Sequence, residues 1–207
     1  MSRVFAFEGG DACGKTLVTN YVCDRLRENG IDSVRVPIIE GSQVGALYKE
    51  TFIRGGVEGV AQAAGMLHSV ICTIDQVVTK HVNEGRVVIL DRSLASFGVY
   101  QLKAHGYSWV REIYEQTIVD TPTNPYVNYK TIFLDVTGKT AMDRINHRGN
   151  ADLIESRGAE FHETIRGYYN EIFNTYRQLA PDYTIFTDDK TRNGVCEMCF
   201  EYVLHNV

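Results

Sequence analysis

The sequence lacks an excess of positive charge and lacks any long apolar run. It carries 21 Lys and Arg against 26 Asp and Glu, a formal net charge of −5, which is the wrong sign for a protein that holds duplex nucleic acid by releasing counterions. No stretch approaches the roughly 20 apolar residues that a membrane helix needs, and the opening MSRVFAFEGG contains no apolar leader followed by a cleavage site. We therefore expect small-molecule partners, no stable nucleic-acid complex and no membrane association.

Cysteines in metal-ligand spacing are also lacking. Five cysteines are present, an odd number, and only Cys196 and Cys199 form a C-x-x-C pair. A structural zinc site of this type needs a second pair of ligands, and a disulfide framework in an exported protein usually needs an even count. These absences favour reduced thiols in a cytoplasmic protein.

Strand and helix patterns alternate over a length that fits one domain. With 207 residues, 44% of them hydrophobic, residues 1–207 are expected to form a single domain with its own core. Short apolar runs predict strands at 4–7, 33–36, 87–90, 131–134 and 184–186. Apolar residues at helical spacing predict helices after the first strand and at 60–81, 140–147, 159–179 and 192–204. This order indicates an α/β fold with a five-stranded parallel sheet.

A glycine-rich segment follows the first predicted strand. Residues 9–16, GGDACGKT, satisfy G-x-x-x-x-G-K-[ST] between a strand and a helix. Glycines let the backbone wrap phosphates with its N–H groups, and the next helix adds the positive end of its dipole. Lys15 should bridge the β- and γ-phosphates of ATP, and the Thr16 hydroxyl should ligate Mg²⁺. This P-loop predicts ATP binding by Gly9, Gly10, Asp11, Ala12, Cys13, Gly14, Lys15 and Thr16.

The pair Asp91-Arg92 ends the apolar run at 87–90. Both side chains should emerge at the carboxyl edge of the sheet, where ligands of open α/β folds bind. The Asp91 carboxylate is suited to Mg²⁺ or its waters, and the Arg92 guanidinium to a second, acceptor phosphate. The alternative is a surface ion pair at a strand end. The P-loop beside this strand favours the catalytic interpretation of both residues.

Two arginines lie four residues apart: Arg144 on the helix predicted at 140–147, and Arg148 directly after it. Arg144 and Arg148 share a helix face, and the glycine-containing segment after Arg148 predicts a lid at about 147–158. A cationic lid would place charge around the transferring phosphate and exclude water, which makes Arg148 a catalytic candidate. The alternative is a solvated basic helix end.

These segments together resemble the thymidylate kinase family. Residues 7–16, FEGGDACGKT, match the family's F-E-G-x-D-x-x-G-K-[ST], and Asp91-Arg92 with Ser96, Tyr100 and Gln101 matches D-R-Y-x-x-S-x-x-A-Y-Q. The L-D-V, R-x-x-x-R-G and D-x-x-E segments follow in family order, so the resemblance covers nearly the whole chain. It implies a P-loop NTPase fold with an arginine-containing lid, usually a homodimer, and ATP-dependent conversion of dTMP to dTDP.

The resemblance implies roles for four acceptor-side residues. Asp11 would approach the sugar and phosphate of the acceptor, and Arg92 would hold its phosphate. Tyr100 would lie where the 2′-hydroxyl of a ribose projects, which predicts a preference for deoxy substrates. Gln101 would face the base.

The resemblance also implies roles on the ATP side. Arg144 would lie near adenine and Arg148 near the transferring phosphates. Because Ala12 is not basic, the chain is similar to the subgroup that keeps its catalytic arginines in the lid and not in the P-loop.

The sequence departs from the family's pattern at several phosphate-binding positions. Lys49 stands in place of an arginine, which keeps the charge and loses the fork geometry. The lid sequence D-R-I-E is Asp152-Leu153-Ile154-Glu155 here, one arginine fewer, with Arg157 nearby as a substitute. Ser93 replaces the tyrosine that follows Asp-Arg.

The base-reading segment departs further. The family's L-L-F-x-x-x-R falls near residues 64–71, which contain no arginine and no Phe, Tyr or Trp. His68 is the candidate for a flat polar surface there, against the alternative of an ordinary surface or core histidine. The sequence therefore predicts that dTMP is preferred over other deoxynucleotides by a smaller factor than in a family member with the complete segment.

Three other functions remain as alternatives. The close one is a deoxynucleoside monophosphate kinase with altered or broadened base specificity, acting on dUMP, dGMP or a modified pyrimidine. A GTPase-like switch would share the P-loop, but Asp91 does not begin a D-x-x-G, and no N-K-x-D guanine reader is present. A P-loop kinase acting on DNA conflicts with the net charge of −5.

Overall fold

A parallel sheet of five strands organises the residues that this computed structural model describes, 2–103, 106–119, 124–149 and 155–207. The strand order is β2-β3-β1-β4-β5, and every neighbouring pair is parallel. The strands are β1 (Val4–Glu8), β2 (Ser33–Pro37), β3 (Val87–Asp91), β4 (Lys130–Asp135) and β5 (Tyr183–Phe186). The predicted α/β class and all five predicted strands are confirmed.

Helices connect consecutive strands, as a parallel sheet requires. They are α1 (Lys15–Glu28), α2 (Gln43–Tyr48), α3 (Val60–Thr73), α4 (Thr79–Asn83), α5 (Leu94–Phe97), α6 (Ser108–Thr117), α7 (Gly138–Arg148), α8 (Ala159–Thr175) and α9 (Arg192–Asn206). Wider π-helical turns extend three of them, at Lys49–Arg54, Ile74–Val78 and Gly98–Lys103, and 3-10 turns lie at Glu155–Arg157 and Arg177–Leu179. The helix predicted at 60–81 is confirmed as α3, a π-helical turn and α4 in succession.

Alternate residues of β1 supply the two faces of the core. Val4 and Ala6 pack with buried residues of α3, α5 and α8, whereas Phe5 and Phe7 pack on the other face with α1 and α9. All four side chains are buried because a central parallel strand is covered on both faces. Because both faces of such a strand are buried, its sequence is a short unbroken apolar run.

The register of the sheet brings three strand ends together. Phe7 of β1 lies opposite Asp91 of β3, which in turn lies opposite Pro37 of β2. The residues that follow these ends, the P-loop and Arg92, therefore meet at one edge. No described helix is long and apolar enough to cross a membrane.

The predicted lid is described only in part. Residues 150–154, which include Asp152, lie outside the described residues. The flanks are described: Arg148 ends α7, and the turn Glu155–Arg157 precedes α8.

Candidate active site

The P-loop holds backbone conformations that its glycines permit. Gly9 has φ +149°, and a Cβ there would lie 2.5 Å from the carbonyl oxygen of Leu134, so a side chain would push the loop off β4. Gly14, the residue before α1, has φ +97°, a value that costs a residue with a side chain free energy. The loop therefore turns directly into α1, whose first N–H groups have no acceptor within the helix and face an anion site.

Lys15 is held over the loop by uncharged oxygens. Its Nζ donates to the carbonyl oxygens of Gly9 at 2.6 Å and Gly10 at 2.8 Å, and it lies 3.4 Å from Cys13 Sγ. The side chain is only 8% exposed. The ammonium group of Lys15 therefore lies beside the loop, at the place where the sequence predicts that the β- and γ-phosphates bind.

A cavity of about 1380 Å³ opens in front of the loop. Its walls come from the P-loop and α1, the ends of β2 and β3, α7, and the segment after β5. Most predicted site residues line it, namely Asp11, Ala12, Cys13, Gly14, Lys15, Thr16, Lys49, Asp91, Arg92, Arg144 and Arg148. Tyr100, Gln101 and His68 are not among the described lining residues, and His68 is exposed on α3.

Thr16 and Asp91 offer two oxygen donors to this cavity. Thr16 is exposed at the second position of α1, and the Asp91 carboxylate forms an ion pair with Arg35, whose Nε donates to Thr19 Oγ1 at 2.9 Å. No group of three or more His, Cys, Asp or Glu among the described residues could hold a metal alone. A hydroxyl and one carboxylate suit Mg²⁺, which keeps several waters and takes substrate phosphates as ligands.

Arg92 is fixed at both its backbone and its guanidinium. Its φ is +72°, in the left-handed region that is costly for a residue with a side chain. Nη2 donates to Asp11 Oδ1 at 2.9 Å, and Nη1 donates to Ser96 Oγ at 3.2 Å and to Tyr169 OH at 3.4 Å. The structure thus brings the two predicted acceptor-phosphate residues, Arg92 and Asp11, into direct contact.

Burial and charge oppose each other at Asp11. Burial alone would raise the pKa of its carboxyl, but the charges of Arg92 and Lys15 more than offset this, so the pKa lies below its ordinary value. The Asp11 carboxylate is therefore negative at neutral pH. It pairs with the guanidinium of Arg92, which the sequence predicts to bind the acceptor phosphate.

Tyr100 completes this group. Its hydroxyl donates to Asp11 Oδ2 at 3.4 Å, and the Arg92 guanidinium lies 5.2 Å from its ring centroid. Burial raises the pKa of the Tyr100 hydroxyl despite the nearby charge of Arg92, so the phenol stays neutral. Gln101 is 7% exposed, and its Oε1 has no hydrogen-bond partner among the described residues.

The predicted ATP-side arginines differ in their partners. The Arg144 guanidinium donates to the carbonyl oxygens of Thr187 at 2.6 Å and Ala12 at 3.2 Å, which lays it across the gap between the P-loop and the segment after β5. Arg148 forms an ion pair with Glu155 on the far flank of the predicted lid. Arg157 packs over the ring of Phe161.

Two other predicted acceptor groups, Lys49 and His68, differ in position: Lys49 lines the cavity, whereas His68 is exposed on α3. Lys49 forms an ion pair with Glu40, and both side chains are partly exposed at the cavity. The exposed position of His68 does not bring it to the other predicted acceptor residues.

Sequence analysis missed several residues that hold the site together. Arg35 pairs with Asp91, Tyr169 contacts Arg92, and Glu8 accepts hydrogen bonds from the segment after Arg92. Asp135 at the end of β4 and Arg166 of α8 form a two-point ion pair at 2.6 and 2.9 Å. Glu8 had a signal in the sequence, since it is part of the segment FEGGDACGKT and directly precedes the P-loop at the end of β1; the contacts of the others depend on long-range pairing.

Comparison with known proteins identifies the family of the chain. A family model described as thymidylate kinase matches residues 7–180. The chain is 29% identical over 169 residues to a thymidylate kinase of Fervidobacterium nodosum, covering 79% of this chain and 81% of that protein. It is 30% identical over 182 residues to a thymidylate kinase of Finegoldia magna, covering 84% of this chain and 85% of that protein. The chain therefore belongs to the thymidylate kinase family.

Proposed function

We propose that the protein is a nucleoside monophosphate kinase that transfers the γ-phosphate of ATP to dTMP, which yields dTDP and ADP. Family membership supports this activity. One observation carries the assignment to this site: Arg92, after β3, lies 2.9 Å from Asp11 of the P-loop. A cation for a second phosphate therefore adjoins the loop that binds the first, as transfer between two anions requires.

The donor side binds ATP through groups that are already oriented. Backbone N–H groups of the P-loop and the first turn of α1 hold the phosphates. When ATP binds, the Lys15 ammonium leaves the carbonyl oxygens of Gly9 and Gly10 and donates to oxygens of the β- and γ-phosphates. These hydrogen bonds are stronger because the phosphate oxygens are charged and the carbonyl oxygens are neutral. Arg144 offers its planar guanidinium beside the segment after β5, where the cavity continues towards the position proposed for adenine.

The acceptor side orients dTMP. Arg92 exchanges the Asp11 carboxylate for the phosphate of dTMP, which quenches the repulsion between two anionic substrates. An oxygen of that phosphate forms a bond to the γ-phosphorus while the bond from this phosphorus to the β,γ-bridging oxygen breaks, and ADP leaves. Asp11, released from Arg92, is then beside the sugar of the acceptor, close to the Tyr100 hydroxyl.

We propose Thr16 and Asp91 as the protein groups for Mg²⁺, directly or through water. Their hydroxyl and carboxylate oxygens face the same cavity. Bound Mg²⁺ would neutralise charge on the β- and γ-phosphates. Arg35 holds the Asp91 carboxylate in place for this task.

Gln101 is proposed as the reader of the base. A buried amide oxygen with no described partner is costly unless a ligand supplies a donor, and the N3–H of thymine is such a donor. The buried side chains of α3 within the corresponding segment, 64–71, carry no charge: Met66, Leu67 and Val70 are apolar, and the hydroxyl of Ser69 donates to the carbonyl oxygen of Ile39. Because no arginine is present in this segment, Gln101 and the shape of the pocket must distinguish thymine from other bases. We therefore propose that kcat/KM for dTMP exceeds that for other deoxynucleotides by less than it would in a pocket with that arginine.

We also propose that the protein works in the cytoplasm as a homodimer. The described cysteines are free thiols, which suits a reducing compartment. Trp109 and Ile113 lie one turn apart on α6 and are 47% and 46% exposed, an apolar pair that a second copy would cover. Light scattering of the wild type and an Ile113→Arg variant tests the dimer, which should dissociate in the variant.

The activity is tested by ADP formation from ATP with separate acceptors. Production should depend on an added mononucleotide, with kcat/KM in the order dTMP above dUMP and dGMP, and UMP lowest. ADP formation that needs DNA, or needs no acceptor, contradicts the proposal. Absolute selectivity for dTMP contradicts only the proposed narrower margin at the base.

A further inference from the structure

The carboxylate of Glu8, the last residue of β1, is fully buried and accepts hydrogen bonds from two elements. Its Oε1 accepts from the backbone N–H of Ser93 at 2.6 Å, the hydroxyl of Ser93 at 2.7 Å and the backbone N–H of Ser96 at 3.2 Å. Its Oε2 accepts from the hydroxyls of Ser96 at 2.6 Å and Tyr169 at 3.0 Å. A carboxylate buried at this depth is tolerated because donors surround it.

These donors lie on the residues that immediately follow Arg92. The backbone N–H of Arg92 donates to the carbonyl oxygen of Phe7 at 3.0 Å, and Ser93 begins the turn that Glu8 holds. Arg92 is therefore tied to β1 at Phe7 on one side and at Glu8 on the other. Since a left-handed backbone in a residue with a side chain persists only when its surroundings enforce it, these two ties account for the φ of +72°.

The same carboxylate also fixes the guanidinium of Arg92. Nη1 donates to Ser96 Oγ at 3.2 Å and Tyr169 OH at 3.4 Å, and both hydroxyls donate onward to Glu8. The buried carboxylate of Glu8 thus fixes both the backbone and the side chain of Arg92. That group is itself rigidly placed, because Glu8 belongs to the central strand and directly precedes the P-loop.

We propose that Glu8 is a positioning residue for phosphoryl transfer: it holds Arg92 in register with the P-loop so that the acceptor phosphate is presented in line with the donor. This inference rests on the proposed role of Arg92 as the acceptor-phosphate ligand. Glu8 does not touch either substrate in this arrangement. Its effect therefore passes through Arg92 to the acceptor and leaves ATP binding alone.

Glu8→Gln is the primary test, because it keeps the shape of the side chain. The amide oxygen still accepts from the backbone N–H groups, and the hydroxyls of Ser96 and Tyr169 can rotate to accept from the new amide. We expect kcat/KM for dTMP to fall by about 30-fold, since small errors in placement are costly in transfer reactions. The Kd of ATP, measured by calorimetry without acceptor, should change by less than about twofold.

A double-mutant cycle with Arg92→Ala separates positioning from a general loss of stability. If Glu8 acts through Arg92, Glu8→Gln lowers kcat/KM by less than about twofold once Arg92 is absent. Equal losses in both backgrounds, or equal effects on dTMP and ATP, would overturn the proposal. Ser96→Ala, which removes one hydroxyl between the two residues, should give the same pattern at about a five-fold loss and serves if Glu8→Gln does not fold.

Val203→Ala is the matched control. Val203 is fully buried in α9 on the other face of the sheet, so the variant loses stability without altering the Glu8 contacts. Its KM for dTMP should be unchanged. Failure of the proposed function itself has a different signature: the wild type would then show no dTMP-dependent formation of ADP.

Discussion

The two halves of the site hold their cations in different ways. On the donor side, Lys15 is partnered by the carbonyl oxygens of Gly9 and Gly10, and Arg144 by those of Ala12 and Thr187. On the proposed acceptor side both cations are partnered by carboxylates, in the pairs Arg92–Asp11 and Lys49–Glu40. Arg148 is the exception on the donor side, because it pairs with Glu155 across the predicted lid. With the roles proposed above, ATP displaces neutral partners from Lys15 and Arg144, whereas the acceptor displaces carboxylates from Arg92 and Lys49. Loss of a donor cation should act mainly on kcat, and loss of an acceptor pair mainly on acceptor KM.

The strongest test of the donor half is Lys15→Ala. We expect kcat to fall by about 10²–10³, because removal of one fixed donor to the developing charge costs this much in other enzymes. The measurement is steady-state turnover with dTMP at saturating ATP, with circular dichroism as the check on folding. Lys80→Ala is the control, since Lys80 is exposed on α4 and is not among the described residues that line the cavity. A folded Lys15→Ala protein with near-normal kcat would refute the kinase assignment.

The acceptor half is tested by Arg92→Ala. A hydrogen-bonded charge of this kind is worth about 1.5–3 kcal/mol, so kcat/KM for dTMP should fall by roughly 10- to 100-fold while the KM of ATP changes little. Initial rates over a grid of both substrates give the two constants. An unchanged KM for dTMP beside a raised KM for ATP would reassign Arg92 to the donor. Arg86→Ala, which breaks a partly exposed ion pair with Asp32, provides the comparison.

A third prediction concerns the sugar. The Arg92 guanidinium lies over the Tyr100 ring, and the Tyr100 hydroxyl donates to Asp11. With the role proposed for Tyr100, its ring should reject a 2′-hydroxyl by volume and by leaving that hydroxyl unpaired. Tyr100→Ala should reduce the preference for dUMP over UMP by about tenfold, measured as a ratio of kcat/KM values. Tyr100→Phe keeps the ring and should keep the preference. Equal kcat/KM values for UMP and dUMP in the wild type would refute the proposed rejection of a 2′-hydroxyl by Tyr100.

The smallest expected effect comes from Glu40→Gln. Its ion pair with Lys49 is partly exposed, and such pairs are worth about 0.2–1 kcal/mol. Without the carboxylate, Lys49 becomes available to the acceptor, so the KM for dTMP should decrease by about twofold. Glu84→Gln, which removes a second, longer ion pair of Arg86 just after α4, should leave this constant unchanged. A raised KM in Glu40→Gln would show that the pair positions the acceptor instead of competing with it.

Much of the fold could be predicted because the sheet is buried on both faces. Strands such as β3, with Val87 to Leu90 all buried, give short unbroken apolar runs that end at turn residues. α5 was not predicted, since its residues 94–97 are all buried and show no amphipathic period. α6 was also not predicted, although its buried residues Val110 and Tyr114 lie four positions apart, at helical spacing.

The site was predictable only where it is contiguous. Residues 9–16 form one segment, so their grouping is visible in the sequence. The hydrogen bond between Glu8 and Ser93 joins residues 85 positions apart, and the pair of Arg35 with Asp91 spans 56. Both depend on the register of β1, β2 and β3, which no local pattern encodes.

The carbonyl partners of Lys15 and Arg144 have a consequence for inhibitor resistance. A carbonyl oxygen persists through nearly every substitution of its own residue, so a compound that takes the place of these contacts at the ATP side leaves few point mutations that would evict it. The acceptor side differs, because Tyr100, which lies beside the proposed acceptor site, presents a side chain that one codon change can alter. We therefore expect resistance to a dTMP-competitive compound to arise first at positions such as Tyr100, and resistance to an ATP-competitive compound to arise more slowly.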